Sequence, residues 1–406
     1  IEQSGLDASE QLNRSIESLE YSFVSTIKAM VTEQRKNIGF LVNHQELGPL
    51  QFQGFLSLAL DNYNIGPIIP KNSGGLTMED VSTLRKMDAL VIAKPRKPFT
   101  DQEKLILDQY IMNGGRTLWM LDVINAEMDT LYHAKKIMAY PQDLNLTDFM
   151  FNYGLRINSA LVKDFQKAAL RTIVVGEVAG NPQYANLLWP YFPIGINETN
   201  NPITRNINPV KFEFPTAIDT LGRKDIKTKV LYESSPRTTL KTVPNYVELN
   251  EIQNLDSLTI MEKPSTPKIF AVALEGKFSS AYASRSERNE YPNFKNKSAE
   301  NKMIVISDGD VARNAVLKGE PLPLGEDLYT NQRYGNAQFL RNALDFLLDD
   351  DNLIDLRSRS VEIRLLDQKL INDEKSYWQW FNLLLPLLFI GGLGGFFFWL
   401  RKKKFG

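Results

Sequence analysis

Apolar residues recur at steps of three and four positions in the first part of the chain. The residues in this pattern are Leu12, Ile16, Leu19, Phe23, Ile27 and Met30. Such spacing places them along one face of an α-helix, and the pattern ends in cations, as helix C-termini prefer. We predict an amphipathic helix within residues 1–36. It is the entry helix of the following domain, or a linker from an upstream part of the protein that is missing here.

Short apolar runs then alternate with helical patterns. The helix that follows Thr100 has the sequence of a capping box, which Glu103 completes. Repetition of strand, helix and strand at this spacing indicates a parallel sheet with helices on both faces, and hence one extracytoplasmic α/β domain over residues 37–350. The runs typical of strands include 37–42, 88–95 and 116–122.

The composition changes between residues 166 and 262, where proline and asparagine become more frequent. Segments such as "VKFEFPTAIDTL" and "TKVLYESS" read as strands that irregular loops connect. We interpret this region as a β-rich extension of the same domain. The α/β pattern then resumes with "PKIFAVALEG" and "NKMIVISDGD", and residues 351–377 form a predicted juxtamembrane stalk.

Residues 378–400 carry no charge. As a helix they would extend roughly 35 Å, which exceeds the bilayer core of about 30 Å. Trp378, Trp380 and Trp399 lie near the two ends, where amphipathic rings favour the level of the lipid headgroups. The segment is therefore predicted to be a transmembrane helix in contact with membrane lipid.

The flanking charges predict the orientation of this helix. Arg401, Lys402, Lys403 and Lys404 follow it directly, and such a cluster favours the cytoplasmic side. We predict a protein of the cytoplasmic (inner) membrane with a cytoplasmic tail, 401–406, and a periplasmic bulk. An extracytoplasmic domain needs a targeting segment, and the chain begins with Ile1, so an upstream segment is expected.

The predicted membrane helix contains residues that are poor helix formers. Gly391 and Gly395 have the spacing of a GxxxG motif, and Gly392 and Gly394 widen the same groove. Pro386, one turn earlier, frees a backbone carbonyl that a neighbouring helix can satisfy. We predict that this face contacts a partner helix. The alternative is a loosely packed anchor with incidental glycines.

Charge and cysteine content exclude several classes of function. The 47 basic residues nearly balance the 48 acidic ones, so no electrostatic surface for nucleic acid is expected. The chain has no cysteine, which excludes disulfides, thiolate zinc sites and a cysteine nucleophile. Neither a GxSxG elbow nor a glycine-rich phosphate loop is present, and we predict no cofactor and no enzymatic activity.

Polar residues follow several predicted strands, where ligands gather in sheets of this kind. They are His44 and Glu46 after the first strand, Asp122 after "LWML", and Asp308 and Asp310 after "MIVIS". Three acids that meet at one edge could hold magnesium or act as acid and base. The alternative is that these residues form turns and cap helices, since aspartate is favoured where a strand leads into a helix.

Several segments resemble one protein family in sequence and in order. The segments are "RKNIGFLVNHQELG", "LVIAKPRKPFTDQEKLILDQYIMNGGRTLWMLD", "FAVALEGKFSS", "IVISDGDVARN" and "FNLLLPLLFI". They are similar to the GldG family, the gliding-motility-associated auxiliary, or substrate-binding-like, subunits of ABC transporters. The resemblance runs through essentially the whole chain.

The resemblance implies more than the residues alone. It implies a flavodoxin-like architecture similar to class I glutamine amidotransferases, whose cysteine nucleophile this chain lacks. It implies two partners, an ABC permease subunit in the membrane and a cytoplasmic ATPase that acts through the permease. It also implies a role in gliding motility and protein secretion, but it transfers no ligand or catalytic residue.

These observations support a leading hypothesis and two alternatives. The leading hypothesis is a non-enzymatic, membrane-anchored auxiliary subunit that binds protein partners or cargo. The alternatives are a periplasmic hydrolase that uses the acids at the strand ends, and a sensor of a small ligand. An acid cluster with room for a cation favours the hydrolase, whereas exposed apolar patches favour the interaction protein.

Overall fold

The computed structural model describes residues 8–31, 34–197, 201–251, 264–328, 330–358 and 368–406. The last part of the predicted β-rich extension, 252–262, and the centre of the predicted stalk, 359–367, lie outside the described residues. The chain divides into two compact units, Ile1–Glu17 with Ser360–Gly406 and Ser18–Arg359. Each unit is treated by itself below.

Helices of very different length occur in the described residues. Thr100 and Glu103 form the predicted capping box at the start of one of them: Oγ1 of Thr100 accepts from the backbone N–H of Glu103, and the Glu103 carboxylate accepts from that of Thr100. The α-helices are α1 (Ala8–Val31), α2 (Pro49–Leu60), α3 (Val81–Leu84), α4 (Asp101–Met112), α5 (Met128–Ala134), α6 (Thr147–Asn152), α7 (Asn336–Leu348) and α8 (Gln368–Phe405). Short 3₁₀ helices are Met78–Asp80, Ser286–Glu290, Asp310–Ala312 and Leu353–Ser358.

The strands fall into one large sheet and three small ones. In chain order they are β1 (Asn37–Leu41), β2 (Asn64–Ile68), β3 (Ala89–Ala93), β4 (Arg116–Met120), β5 (Ile124–Asn125), β6 (Lys136–Pro141), β7 (Leu155–Asp164), β8 (Ala168–Val178), β9 (Asn181–Gly195), β10 (Val210–Lys211), β11 (Thr216–Thr220), β12 (Ile226–Glu233), β13 (Thr238–Thr242), β14 (Asn245–Glu248), β15 (Ile269–Ser279), β16 (Lys297–Ile306), β17 (Val316–Leu317) and β18 (Glu320–Pro321).

The large sheet is mixed rather than parallel, so the predicted parallel sheet holds for only part of it. Its order is β13-β7-β11-β15-β16-β4-β3-β1-β2, and β12 also pairs with β15. From β16 to β2 every neighbouring pair is parallel, and from β15 to β13 every pair is antiparallel. The direction changes because β15 and β16 are joined by a surface loop, whereas parallel neighbours need a crossover that is usually helical.

The parallel strands are buried on both faces. Successive residues of β3 and β4 contribute alternately to two apolar clusters, as the two-residue period of a strand requires. One cluster contains Val91 and Leu118 with side chains of α2 and α7, and the other contains Ile92 and Trp119 with side chains of α4. This arrangement explains the unbroken apolar runs in the sequence. The α/β class is confirmed.

Strands β8 and β9 form a long hairpin whose outer half is exposed. The turn has positive φ at Ala179 and Gly180. Val174, Val178 and Tyr184 are exposed near the end of the hairpin, whereas Trp189 at its base is fully buried in a third apolar cluster. The small sheets are β10-β9-β8, β14-β6-β5 and β17-β18.

The first and last helices both expose apolar residues. On α1, Leu19, Phe23, Ile27 and Met30 are exposed. Within α8, Ile371–Phe405 is long and apolar enough to cross a membrane, and none of its most apolar window is buried. The helix continues through Pro386. The predicted C-terminal apolar helix is confirmed.

Candidate functional site

Four parallel strands end at the same edge of the large sheet. They are β1, β3, β4 and β16. The strand order reverses between β1 and β3, because the chain first adds β2 on one side of β1 and then adds β3 on the other side. Ligands in such sheets bind outside the carboxyl ends of the strands, at this reversal. The residues predicted from the sequence lie just beyond these strand ends, so this edge is the candidate site.

His44 follows β1 and is buried between two acids. Its Nε2 lies 3.2 Å from Oε1 of Glu103, and its Nδ1 lies 3.6 Å from Oε1 of Glu46. Its ring stacks on Phe99 at a centroid distance of 3.9 Å. The Glu46 carboxylate also accepts a hydrogen bond from the backbone N–H of His44, at 2.7 Å. The structure thus brings His44 and Glu46 together, and adds Glu103.

The two acids determine the charge of the imidazole. Burial alone lowers the pKa of His44, but the hydrogen bond with Glu103 and the nearby carboxylate of Glu46 outweigh burial and raise this pKa to about 9. Burial raises the pKa of Glu103, but His44 and the backbone donors outweigh it and the pKa is lowered. His44 is therefore an imidazolium that holds the loop after β1 against α4. A general base needs the neutral imidazole near neutral pH, so this histidine is unsuited to that role.

The aspartates at the ends of β4 and β16 surround a buried lysine. Nζ of Lys94 lies 3.1 Å from Oδ2 of Asp122, 3.1 Å from Oε1 of Glu127 and 2.5 Å from Oδ2 of Asp310. The Lys94 side chain is only 2% exposed. Burial lowers the pKa of Lys94, but these carboxylates outweigh burial and raise it above its ordinary value. Lys94 is charged, and its ammonium group occupies the centre of the cluster.

The pKa values of the three predicted aspartates are not all shifted in the same direction. Burial raises the pKa of Asp122 to about 6, against the effect of Lys94. Burial, with the negative charges of Asp122 and Asp310, raises the pKa of Asp308 well above its ordinary value. Burial also acts on Asp310, but Lys94 and Arg313 outweigh it and lower that pKa. The pKa values of Asp310 and Asp308 are therefore shifted in opposite directions, and Asp310 is the carboxylate that pairs most closely with the lysine.

Asp308 and Asp122 also order the backbone. Asp308 accepts hydrogen bonds from the backbone N–H groups of Glu213 and Asp310, each at 2.7 Å. Asp122 accepts from the N–H of Gly309. A Cβ atom on Gly309 would lie 2.5 Å from Cγ of Lys94, so only glycine allows this loop to cover the lysine. In these bonds the two aspartates act as acceptors for backbone groups of neighbouring loops.

The arrangement leaves little room for a metal ion. Divalent cations of the magnesium type are held by carboxylate oxygens. Here the oxygens of Asp122 and Asp310 converge on an ammonium group instead. Among the described residues no group of three or more histidines and acids is arranged to hold a metal. The cluster is a network of buried ion pairs.

Sequence reasoning missed the residues that neutralise the site. Lys94 directly follows the buried strand β3, and Glu103 was recognised only as part of a capping box. Arg313 pairs with Glu127 at 3.3 Å and with Asp310 at 3.5 Å. A lysine that directly follows an unbroken apolar strand was the available signal, since a charge placed there is buried and needs partners.

A cavity lies near the opposite edge of the sheet. Its volume is about 380 Å³, and its lining includes Tyr110, Arg85, Lys36, Arg116 and Asp350. Asp350 pairs with both Lys36 and Arg116, so two of these cations are already neutralised. The cavity has no converging set of available polar groups that would define a ligand.

The predicted partner face lies on α8. Beyond their chain neighbours and the backbone of the helix itself, no atom lies within 4 Å of the position that a Cβ would occupy on Gly391, Gly392, Gly394 or Gly395. Together with Pro386 they belong to one continuous helix. The glycine face is open to a neighbour, and its contact with a partner helix stays a prediction.

Comparison with known proteins identifies a family. The family model described as "ABC-type uncharacterized transport system", an ABC transporter auxiliary family, matches residues 35–343. No curated protein matches the chain. Among solved structures, the mmIFT52 N-terminal domain is similar, with 13% sequence identity and a TM-score of 0.43, over 78% of this chain and 99% of that chain. At this TM-score the likeness supports no functional argument. The family match covers most of the chain, which therefore belongs to the auxiliary family of this ABC-type transport system.

Proposed function

We propose that the chain is a non-enzymatic, membrane-anchored auxiliary subunit of an ABC transporter complex that binds protein partners or cargo. One observation carries the non-enzymatic part of this proposal. The acids at the strand ends converge on the ammonium group of Lys94 instead of surrounding an open position for substrate or metal. This neutralised cluster argues against the hydrolase alternative.

Exposed apolar surfaces support a role in protein binding. Leu19 and Phe23 on α1 are 59% and 68% exposed. Val178 and Tyr184 at the end of the β8–β9 hairpin are 62% and 65% exposed. Contiguous apolar surface of this kind marks interaction sites in soluble domains. It is what an auxiliary subunit needs, and a catalytic domain does not need it.

The apolar helix α8 supports membrane anchoring. In this proposal α8 spans the cytoplasmic membrane, residues 401–406 are cytoplasmic, and the bulk of the chain is periplasmic. The four consecutive cations from Arg401 to Lys404 support that orientation. The glycine face of α8 contacts the permease subunit, and the permease connects the chain to the cytoplasmic ATPase.

The finer assignment rests on the sequence motifs. We place the chain with the GldG-like auxiliaries of gliding motility and protein secretion because of the segments "RKNIGFLVNHQELG" and "IVISDGDVARN". The strand order β2-β1-β3-β4-β16 supports a flavodoxin-like parallel half, since that fold has the order 2-1-3-4-5. No cofactor and no nucleic acid take part.

Purification with partners tests the proposal. The tagged chain is extracted from its native membranes in mild detergent, and the co-purifying chains are identified. A permease and an ATPase in fixed ratio to the chain are expected, and an unrelated tagged membrane protein serves as control. Recovery of the chain alone, even after cross-linking in intact membranes, contradicts the proposal. The gliding role is tested by deletion of the gene and rescue of surface movement with the same chain.

A further inference from the structure

Helix α1 is held on the protein body by a line of polar contacts. The Tyr21 hydroxyl donates to Oδ2 of Asp345 on α7, at 2.9 Å. One helical repeat later, Nζ of Lys28 lies 2.7 Å from Oδ2 of Asp351 and 3.6 Å from Oδ1 of Asp349. Residues seven positions apart lie on the same side of a helix. The inner side of α1 therefore faces the end of α7 and the segment that follows it.

Tyr21, the donor to Asp345, also contacts the segment that continues towards α8 in the sequence. The guanidinium carbon of Arg357, in the 3₁₀ helix Leu353–Ser358, lies 5.2 Å from the centre of the Tyr21 ring. Arg205 donates to the carbonyl of Ser358 at 2.8 Å. Tyr63 donates to the other oxygen of Asp345, at 2.8 Å. Burial raises the pKa of Asp345, and both tyrosine hydroxyls satisfy its oxygens.

None of the α1 side chains that the structure describes is fully buried. Among the α1 side chains that the structure describes, Tyr21 is the one that packs against the main apolar cluster. The opposite side exposes Leu19, Phe23 and Ile27. Elements with few buried apolar contacts open at low free energy, so polar contacts such as that of Tyr21 contribute to the position of such a helix.

We propose that Tyr21, Asp345 and Arg357 form a mechanical link, the Asp345 junction, which passes movement between the segment 353–358 and α1. This inference deepens the proposed function, because it rests on α8 being the membrane anchor of a transporter subunit. A displacement of the chain at Ser358 moves Arg357, which contacts the ring of Tyr21. Tyr21 in turn moves α1, whose exposed apolar side is available to a partner protein.

The absence of native cysteine allows a direct test in the full chain. Spin labels are placed at Thr26→Cys on α1 and at Asp355→Cys in the 3₁₀ helix, both exposed positions, and their distance is measured by pulsed electron paramagnetic resonance in lipid nanodiscs. The wild-type background is expected to give one narrow distance distribution. Tyr21→Leu removes both the hydrogen bond and the ring, and a broad or shifted distribution is expected. Tyr21→Phe keeps the ring and should give an intermediate result.

Tyr63→Phe is the matched control. It removes the hydrogen bond from Tyr63 to Asp345, which is nearly as long as the one from Tyr21. Tyr63 lies just beyond α2 and is not part of α1. We expect it to leave the label distance unchanged. An unchanged distribution in Tyr21→Leu, or equal broadening in Tyr63→Phe, overturns the proposal. Unchanged far-ultraviolet circular dichroism shows whether each variant is folded.

A double-mutant cycle provides the second measurement. Tyr21→Leu and Arg357→Gln are compared singly and together by the free energy of unfolding, and non-additive effects are expected because the two side chains share one contact. Additive effects contradict the link. Both measurements use the isolated chain and need no permease. A failure of the junction is therefore distinguishable from a failure to recover transporter partners.

Discussion

Nζ of Lys94 lies 3.1 Å from Oδ2 of Asp122, and the lysine reaches this position from the end of the neighbouring strand. Replacement of the lysine removes the cation that Asp122, Glu127 and Asp310 share, and leaves Arg313 as a cation beside Glu127 and Asp310. We expect Lys94→Met to lower the free energy of unfolding by about 3–5 kcal/mol, the usual cost of removing one partner of a buried pair. Urea unfolding at neutral pH, followed by the fluorescence of the buried Trp119 and Trp189, measures this change.

Lys97→Met is the control for this experiment, because Lys97 is exposed three residues later. Its effect should stay within about 0.5 kcal/mol, as for most surface substitutions. Equal stability of the Lys94 and Lys97 variants would show that the aspartates do not depend on the lysine. In that case the cluster would have to be reconsidered as an open acidic site.

The aspartates of the cluster should respond differently to amide substitution. Asp310→Asn removes the ionised partner of Lys94 and Arg313, and we expect a loss of about 3–5 kcal/mol. Burial and the negative charges of Asp122 and Asp310 raise the pKa of Asp308, so Asp308→Asn relieves charge repulsion and should cost only about 1 kcal/mol, mainly through one lost backbone hydrogen bond. Chemical denaturation ranks the two variants, and the reverse order contradicts the opposite pKa shifts of the two aspartates.

If both aspartates are structural, partner recovery should follow stability. Variants that remain folded should co-purify with the permease at the wild-type level. A folded Asp308→Asn chain with an unchanged melting temperature and unchanged partners, but with lost motility, would instead indicate a chemical site.

His44 should make stability depend on pH above neutrality. The pKa of His44 is raised from an unfolded value of about 6.5 to about 9, so the folded state binds the proton more tightly. This contribution is fully present below about pH 6.5 and is lost as the pH rises towards 9, a total of about 3 kcal/mol. Urea unfolding at pH 6.5 and at pH 9 measures it.

The chain contains one further histidine for comparison. His44→Gln should remove most of this pH dependence, whereas His133→Gln should keep it, because His133 is exposed. If both variants show the wild-type slope between pH 6.5 and 9, the imidazolium of His44 is not its source.

The orientation of α8 can be tested with single cysteines, since the chain has none of its own. A cysteine at Ser376 should react with a membrane-impermeant thiol reagent once the outer barrier is opened. A cysteine at Phe405 should react only after the cytoplasmic membrane is permeabilised. The physical reason is the basic cluster after Leu400, which favours the cytoplasmic side. The opposite labelling pattern would show that the predicted topology is inverted.

The glycine face of α8 should determine contact with the permease. Gly391→Leu with Gly395→Leu fills the groove through which a second backbone would approach. We expect the double variant to remain in the membrane and to lose co-purification with the permease. Leu393→Phe adds bulk on roughly the opposite side of the helix and should leave co-purification unchanged. Wild-type recovery of the permease by the double variant would place the contact in the extracytoplasmic domain.

The parallel half of the fold could be predicted because local signals agree there. The Thr100–Glu103 capping box and the apolar strands around it point to the same strand–helix–strand unit. The antiparallel half could not be predicted from the sequence, because the apolar runs of β15 and β16 look like those of the parallel strands β3 and β4. Their direction depends on the connection between them, which the residues of the strands do not encode.

The structure brings the predicted residues to one edge of the sheet, but the ion pairs around them were not predictable from the aspartates alone. Asp122, Asp308 and Asp310 follow strands that meet at one edge, and topology alone brings them together. Their ionisation depends on Lys94, which follows a different strand, and the sequence does not show which acids that lysine contacts. Glu103 likewise serves a local cap and a distant histidine, and only the tertiary structure reveals the second role.

The position of β16 between β4 and β15 constrains the order of folding. As a chain is made from its N-terminus, β1 to β4 can pair while one edge of β4 still has unpaired backbone groups. That edge remains open until Lys297–Ile306 has been made, because β16 covers it. Sheets that depend on such distant pairing form slowly, and open edges attract other strands. Aggregation during biogenesis should therefore be most sensitive to substitutions in β4 and β16, even where the finished protein tolerates them.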